Sequence, residues 1–282
     1  MQGDGDGWAK GSDGQKHWGK FGAAGLLLRA PGSDGNPVVL LQHRAAWSHE
    51  GGTWSIPGGA RDSHEDVVAA AVREAAEEGG LEPISIAVRT HRRTAGDPAT
   101  WCYTTVIADA ATALATVANH ESVELAWVPE AEVATMPLHP GFGASWPDLR
   151  VRPTRLLVDM ANLVGSRPDG WWRDRPGAAE RMLAQLRAAL PRTLELPDHA
   201  FGWPAEIVAV LEGHARAAAD QDGIRVLRAA GSGDDAITDL AHEFATDAGV
   251  TTLVVTADRG LRARLPVSAQ VLSPGRVLDW LG

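Results

Sequence analysis

The interval PLHPGFGASWPDLRVRP, residues 137–153, separates two stretches whose hydrophobic rhythms do not belong to one continuous layer of structure. Before it, short apolar and β-branched runs follow one another with little helix: AAGLLLRA, NPVVLLQHR, GTWSIPGG, ISIAVRTHRRT, WCYTTVIADA and VELAWVP. Turn clusters such as PGSDGN punctuate them, and helices are expected only over 66–78 and in EAEVATM. This half reads as α+β, or as a sheet with helical layers. After the interval come TRLLVDMAN, the amphipathic GAAERMLAQLRAAL, then AEIVAVLEGHARAAA, IRVLRAA, DDAITDLAHEFATDAG and VTTLVVTADRG. Strands alternating with helices predict an α/β domain with a parallel sheet. The 282 residues accommodate one large or two ordinary domains. The rhythm change favours two, 1–150 and 151–282.

Charge narrows the function classes. The formal net charge is −10, from 26 Lys+Arg against 36 Asp+Glu, which excludes a passive coat for nucleic-acid phosphate. A chain of this kind that handles nucleotides needs divalent metal between its acids and an anionic substrate. Lysine occurs only at Lys10, Lys16 and Lys20. Cys102 is the single cysteine, so an internal disulfide and a thiolate metal site are both excluded. The start, MQGDGDGWAKGSDG, lacks the apolar core of a signal peptide, and no apolar run reaches the roughly 18 residues of a membrane helix. A cytoplasmic protein without membrane association is expected; oligomeric state leaves no mark in the sequence.

The segment WSIPGGARDSHEDVVAAAVREAAEEGGL carries the densest chemistry. Glu74, Glu77 and Glu78 stand at i, i+3 and i+4 and share one face of a helix, with Val68, Val72, Ala75 and Ala76 expected on the other. Like charges at that spacing weaken a helix unless a cation sits between them, and hard carboxylate oxygens suit Mg²⁺ or Mn²⁺. Asp66, or Ser63, is a candidate N-cap. Pro57-Gly58-Gly59 supplies a tight turn that brings a backbone carbonyl to the same place. A solvated acidic helix face explains EAAEE taken alone. The wider spacing is more specific: Gly59, Glu65, Arg73, Glu74, Glu77, Glu78, Gly80 and Leu81 form G-x5-E-x7-R-E-A-x-E-E-x-G-L. This resembles the box of the Nudix hydrolases, departing from it only at Ala75, where the family usually has a larger aliphatic residue.

The resemblance implies an αβα sandwich around a mixed sheet. It implies Mg²⁺ (or Mn²⁺) held by Glu74, Glu77, Glu78 and the Gly58 carbonyl, and a Glu65–Arg73 ion pair that orients Glu74. The implied reaction is hydrolysis of a pyrophosphate in a nucleoside diphosphate linked to another group. Glu121 and Glu124, just before LAWVP, are candidates for the general base; Glu124 resembles the acid three residues before that tryptophan in relatives. GTWSIPGGA and VLLQHR resemble the MutT-type branch, which acts on nucleoside triphosphates including oxidised guanine nucleotides. Trp54 and Arg44 are the candidate substrate contacts. Trp47 and Trp101 also have the ring to stack a base, although tryptophan serves equally as core filler. His43, His49, His64 and His91 show no metal-ligand spacing.

In the second half, acids recur where strands end: Asp159 and Asn162 in LLVDMANLVGS, Asp234 and Asp235 in GSGDDAI, Asp258 in VVTADRGLRAR. Capping and turn formation account for any one of them. Converging at the carboxyl edge of a parallel sheet, they form a candidate Mg²⁺ or Mn²⁺ site for phosphodiester hydrolysis. Together the segments resemble the NYN group of PIN-like nucleases. That resemblance implies a PIN-like, Rossmannoid domain with metal on Asp159, on Asp234 or Asp235, and on Asp258, assisted by Asn162. RNA is then a candidate partner, with Arg259, Arg262, Arg264 and GWWRDR as candidate contacts.

Three functions remain open at this stage: a nucleotide pyrophosphohydrolase fused to a ribonuclease, an enzyme that removes a cap or triphosphate from RNA 5′ ends before cleavage, and a nucleotide sensor regulating its partner domain.

Overall fold

The computed structural model describes residues 3–282; Met1 and Gln2, the start of the polar N-terminal segment, lie outside the described residues. The chain forms two compact units, Met1–Arg150 and Val151–Gly282. Both are mixed α/β.

The first unit opens with a hairpin, β1 (Trp8–Lys10) and β2 (Lys16–Trp18). There follow β3 (Ala23–Pro31), β4 (Pro37–Arg44), β5 (Trp54–Ser55), β6 (Gly58–Ala60) and helix α1 (Val67–Gly79). Then come β7 (Ala87–Asp97), β8 (Trp101–Asp109), β9 (Ser122–Pro129) and α2 (Pro140–Leu149). The main sheet runs β5-β4-β3-β8-β7, with β6 on β3 and β9 on β4. β3 and β8 are parallel, the remaining pairs antiparallel.

Alternation along β3 decides what each face holds. Ala24, Leu26, Leu28 and Ala30 pack with Leu40, Val106 and Ala108 against Ala70, Ala71 and Ala75 of α1. Arg29, one residue out of phase, is buried on the opposite face. Its Nε donates to Glu130 Oε2 (2.8 Å), and its Nη2 donates to Glu130 Oε1 (3.0 Å) and the Leu149 carbonyl (2.6 Å). These bonds tie β3 to the end of α2, so the sheet lies between two helices.

The interval expected to be a break is in fact that second helix. Pro140 takes the first-turn position where a missing N–H costs nothing, His139 caps it, and Phe142, Trp146 and Leu149 recur at helical spacing on its buried side. EAEVATM, expected as a short helix, makes only a single 3₁₀ turn, Val133–Thr135.

In the second unit, β10 (Val151–Asp159) runs into α3 (Met160–Gly165), followed by α4 (Arg175–Ala188), a short β11 (Leu194–Glu195) and β12 (Phe201–Leu211). β13 (Arg225–Arg228), α5 (Gly233–Phe244), β14 (Thr251–Val255), α6 (Arg259–Arg262), β15 (Gln270–Leu272) and α7 (Pro274–Leu281) complete it. The parallel strands lie in the order β13-β12-β10-β14-β15, with β11 antiparallel to β12. Leu156, Val158, Ile207, Ala209, Leu253 and Val255 face α3, α4 and α7, while Leu157, Val208, Val210 and Val254 face α5 and α6. Both faces are covered, so these strands read as continuous apolar runs.

Candidate active site

Helix α1 starts where Asp66 accepts hydrogen bonds from the N–H groups of Val68 and Ala69, and ends at Gly80, whose φ of 66° is left-handed. Of the two N-cap candidates, Asp66 holds the position. The helix lies on β3 through alanines, and small side chains are what let it approach closely. Ala75, the departure from the family pattern, is fully buried in this contact. It shares that buried side with Glu78, so the expected division between acids on one side and Ala75 on the other does not hold.

Close approach puts Glu78 against the glycine turn. The Gly58 N–H donates to Glu78 Oε2 at 2.8 Å, and Glu78 is only 4% exposed. The turn must be glycine for lack of space: a Cβ at Gly58 would stand 2.5 Å from the Ala24 carbonyl oxygen, and one at Gly59 2.6 Å from Glu74 Oε1. Arg73 organises the rest. Its Nε and Nη2 donate to the two oxygens of Glu65 (2.7 and 3.0 Å), its Nη2 also to the Ala60 carbonyl (2.9 Å), and its Nη1 to Glu74 Oε1 (2.9 Å). Nη1 also reaches Glu77 Oε2 at 3.2 Å, and the Glu77 side chain is 57% exposed. The structure thus brings Glu74 and Glu78 to the turn and leaves Glu77 on the outer rim.

The electrostatics follow the burial. Burial pushes Glu78 up to about 8; the Gln42 amide and Gly58 N–H oppose this, while the charges of Glu74 and Glu121 add to it. Burial likewise raises Glu74 to about 7 despite the opposing Arg73 guanidinium. Glu65, hydrogen-bonded by Arg73, is held below the ordinary carboxylate range.

Of the two general-base candidates, Glu121 is the one whose charge acts on both Glu74 and Glu78. Glu124 is placed otherwise. Its neighbour Leu125 packs on the α1 side, so Glu124 projects from the other face of the sheet, opposite His43. That face also carries the Trp54 ring, stacked on His43 at 4.7 Å. Arg44 donates from Nε to the His49 carbonyl (3.1 Å), and its charge acts on Tyr103 and His139. Trp47 is exposed beside His120, whereas Trp101 is core, stacked on His17.

Two side chains here carry no sequence signal. Tyr103, the only tyrosine, lays its hydroxyl across Gly25 and Gly58, where a Cβ at Gly58 would stand 2.9 Å from it. Burial, reinforced by Glu78 and Glu74, keeps its phenol neutral. Gln42 is buried, with Nε2 donating to Ser122 Oγ at 2.8 Å, and its amide opposes the rise of Glu78. Only contacts across the sheet single out either residue.

Among the described residues, the group of metal-ligating side chains whose donor atoms lie within 4.8 Å of one another is Asp4, Asp62 and His64, on the surface. Its carboxylates are already engaged: Asp4 accepts from the Ser63 N–H and Asp62 from the Gly5 N–H.

In the second unit, Asp159 ends β10 and caps α3. Its oxygens accept from the Asn162 N–H (3.0 Å), Asn162 Nδ2 (2.7 Å) and Thr256 Oγ1 (2.9 Å), and Asn162 Oδ1 accepts from the Ala257 N–H (3.2 Å). Burial, with Asp234 and Glu212 adding, raises Asp159; burial, with Asp258 and Glu212 adding, raises Asp234. Asp258 caps α6, accepting from the Leu261 N–H at 2.7 Å. Asp235 pairs with Arg264 at 2.6 Å, and both charges also act on Asp234. Glu212, just past β12, joins the group by accepting from the Gly233 N–H at 2.8 Å. In sequence it sits between a strand and a turn without any motif.

Comparison with known proteins fits these two sites unequally. The NUDIX domain model matches residues 20–146. A Mycobacterium tuberculosis protein named "Putative 8-oxo-dGTP diphosphatase 3" is 49% identical over 207 residues, 72% of this chain and 85% of that protein. That share exceeds the 150 residues of the first unit, so the likeness runs on into the second. A Bifidobacterium longum nucleoside triphosphate pyrophosphatase/Nudix hydrolase fusion protein is 42% identical over 159 residues, 55% of this chain and 33% of that one. A solved Nudix hydrolase from M. smegmatis, RenU, shares 59% identity with a TM-score of 0.49, covering 51% of this chain and 91% of its own. With nearly half its residues shared along most of the M. tuberculosis protein, and Glu74 and Glu78 of the box set at a glycine turn, the chain belongs to the Nudix hydrolase family.

Proposed function

We propose that the first unit is a Mg²⁺- or Mn²⁺-dependent pyrophosphohydrolase of nucleoside triphosphates, oxidised guanine nucleotides among them, working in the cytoplasm. The observation that carries this reading is the burial of Glu78 and Glu74 at the Gly58–Gly59 turn, with Arg73 as the cationic neighbour of Glu74. Two crowded carboxylates, both raised, suit a hard divalent cation. Nudix enzymes use divalent metal ions; Glu74, Glu77, Glu78 and the Gly58 carbonyl are the proposed donors. When bound, the ion neutralises phosphate charge and makes water a better nucleophile. The chain's own residues do the rest. Arg73 fixes Glu74 through one guanidinium edge while Glu65 fixes Arg73, and the Gly58 N–H fixes Glu78. Glu121 accepts the proton in preference to Glu124, and Arg44 with Trp54 orients the nucleotide. The name of the M. tuberculosis relative supports the choice of substrate.

The test is turnover of a panel: nucleoside triphosphates, oxidised dGTP, ADP-ribose, NAD and capped RNA, each with Mg²⁺ and with EDTA. Cap release as the sole activity would move the substrate to RNA 5′ ends, and metal-dependent binding without any turnover would make the unit a sensor. Gly59→Ala is expected to displace Glu74 and lower turnover about 10–100-fold while the fold is kept. Unchanged turnover would show that Glu74 does not need its present position.

A second reading concerns the second unit, proposed as a NYN/PIN-like metal-dependent ribonuclease. Asp159 and Asp258 follow β10 and β14, neighbouring strands between which the strand order reverses, the usual ligand crevice of an open parallel sheet. Asp234 and Glu212 join them, and Asp235 is paired with Arg264. Trp172, Arg173, Asp174, Arg175, Pro176 and His214 line a cleft of about 480 Å³ in the connections that follow β10 and β12. RNA cleavage is expected to vanish in Asp159→Asn with Asp258→Asn. Cleavage surviving both changes would remove the assignment.

A further inference from the structure

We propose that the exposed face of the N-terminal hairpin binds a single-stranded nucleic acid, stacking a base on Trp8 and Trp18 and meeting phosphates with Lys10 and Lys16. The register makes the face. Trp8 pairs with Trp18 and Lys10 with Lys16, and residues two apart on a strand project to the same side. All four side chains therefore stand together, and all four are exposed, Trp8 at 53% and Trp18 at 44%.

The opposite face explains how so short a ribbon is held, since a lone hairpin is marginal in water. His17 stacks on Trp101 at 4.3 Å, the Trp101 indole donates to the Trp18 carbonyl (3.0 Å), and the Gly19 and Lys20 N–H groups donate to the carbonyls of Gly7 (2.7 Å) and Gly5 (2.9 Å). Asp13, the acid at the hairpin tip, is drawn to that docked face by His17 (2.9 Å).

Neither folding nor composition calls for this arrangement. Lysines directly opposite one another weaken a ladder, and an acidic chain with three lysines in all places every one between residues 10 and 20. Neither Lys10 nor Lys16 forms an ion pair among the described residues. Exposed tryptophan beside unpaired lysine is the pairing that single strands use, the rings for bases and the ammonium groups for the backbone.

Position selects the partner. Trp8 meets His49 edge-on at 6.4 Å, and the His49 carbonyl accepts from Arg44, whose charge reaches Tyr103 beside Glu78. The face therefore borders the place where the nucleotide reading puts its substrate; the choice of partner rests on that reading, the exposed face does not. A membrane surface is the other taker of tryptophan and lysine, and the test includes it.

The experiment is fluorescence anisotropy on the full chain in EDTA, with labelled oligouridylate and oligothymidylate of about 15 nucleotides. Binding is expected, about tenfold weaker in Lys10→Glu/Lys16→Glu and in Trp18→Ala. In the lysine variant the plot of log affinity against log salt should also be shallower by about 1.4, two phosphate contacts' worth. Triphosphate hydrolysis should be unchanged in the lysine variant. Absence of oligonucleotide binding, equal binding by the variants, or capture by phosphatidylserine vesicles in place of the oligonucleotide would each overturn the proposal. Hydrolysis measured on the same preparations keeps its failure distinct from failure of the nucleotide reading.

Discussion

Glu78→Gln is expected to lower kcat for nucleoside triphosphate hydrolysis by about 10³-fold while leaving the protein folded. The amide is isosteric with the carboxylate and still accepts the Gly58 N–H bond seen at 2.8 Å. What is lost is a negative oxygen at the glycine turn that Glu78 shares with Glu74, and cation binding weakens accordingly. Glu77→Gln should act in the same direction. Its side chain lies at the rim and touches only the Arg73 guanidinium in this site, so it provides the check that charge rather than packing is responsible. Steady-state kinetics across Mg²⁺ concentration read both effects. A Glu78→Gln enzyme with kcat within tenfold of wild type would remove Glu78 from the site.

The same substitution should remove a stability trend. Glu78 is raised to about 8 in the folded protein from an ordinary value of 4.5. Below that ordinary value the folded and unfolded chains are both protonated, and no penalty exists. As pH rises above it, the unfolded chain releases its proton first, so the folded state loses stability until its own carboxyl ionises near pH 8. For Glu78 alone the loss is roughly 4 kcal/mol. In EDTA, the unfolding transition of the first unit should therefore fall by about 10 °C between pH 5 and pH 8. Mg²⁺ should flatten the fall by binding the ionised form, and Glu78→Gln should flatten it without metal. Calorimetry showing no slope in the wild type, or an equal slope in the variant, would overturn this account of the buried acid.

How much of this was legible in the residues differs between the units. Over 59–81 spacing was enough, because helical periodicity, a cap at Asp66 and a left-handed stop at Gly80 are local properties. Ala75 looked like a flaw and is instead the contact that lets α1 settle on β3. The interval 137–153 misled because proline and glycine mask a helical period that becomes visible only once Phe142, Trp146 and Leu149 have a sheet to pack on. In the second unit the strand-end acids were visible singly. Asp234 could not be told from Asp235 until Arg264, 29 residues further on, took one of them.

Taken alone, the sequence determined the family, the helix that carries the acids, the chemistry those acids favour and the alternating rhythm of the second half. Each depends on residues close together in the chain. The tertiary structure decided which acids are buried and which stay at the rim, that the Tyr103 hydroxyl lies at the glycine turn, that Glu124 lies on the sheet face opposite α1, and that Glu212 joins the second acidic group. Those outcomes depend on strand register and on how closely a helix lies on a sheet, which shift a carboxylate between faces by a single residue and are set by long-range packing.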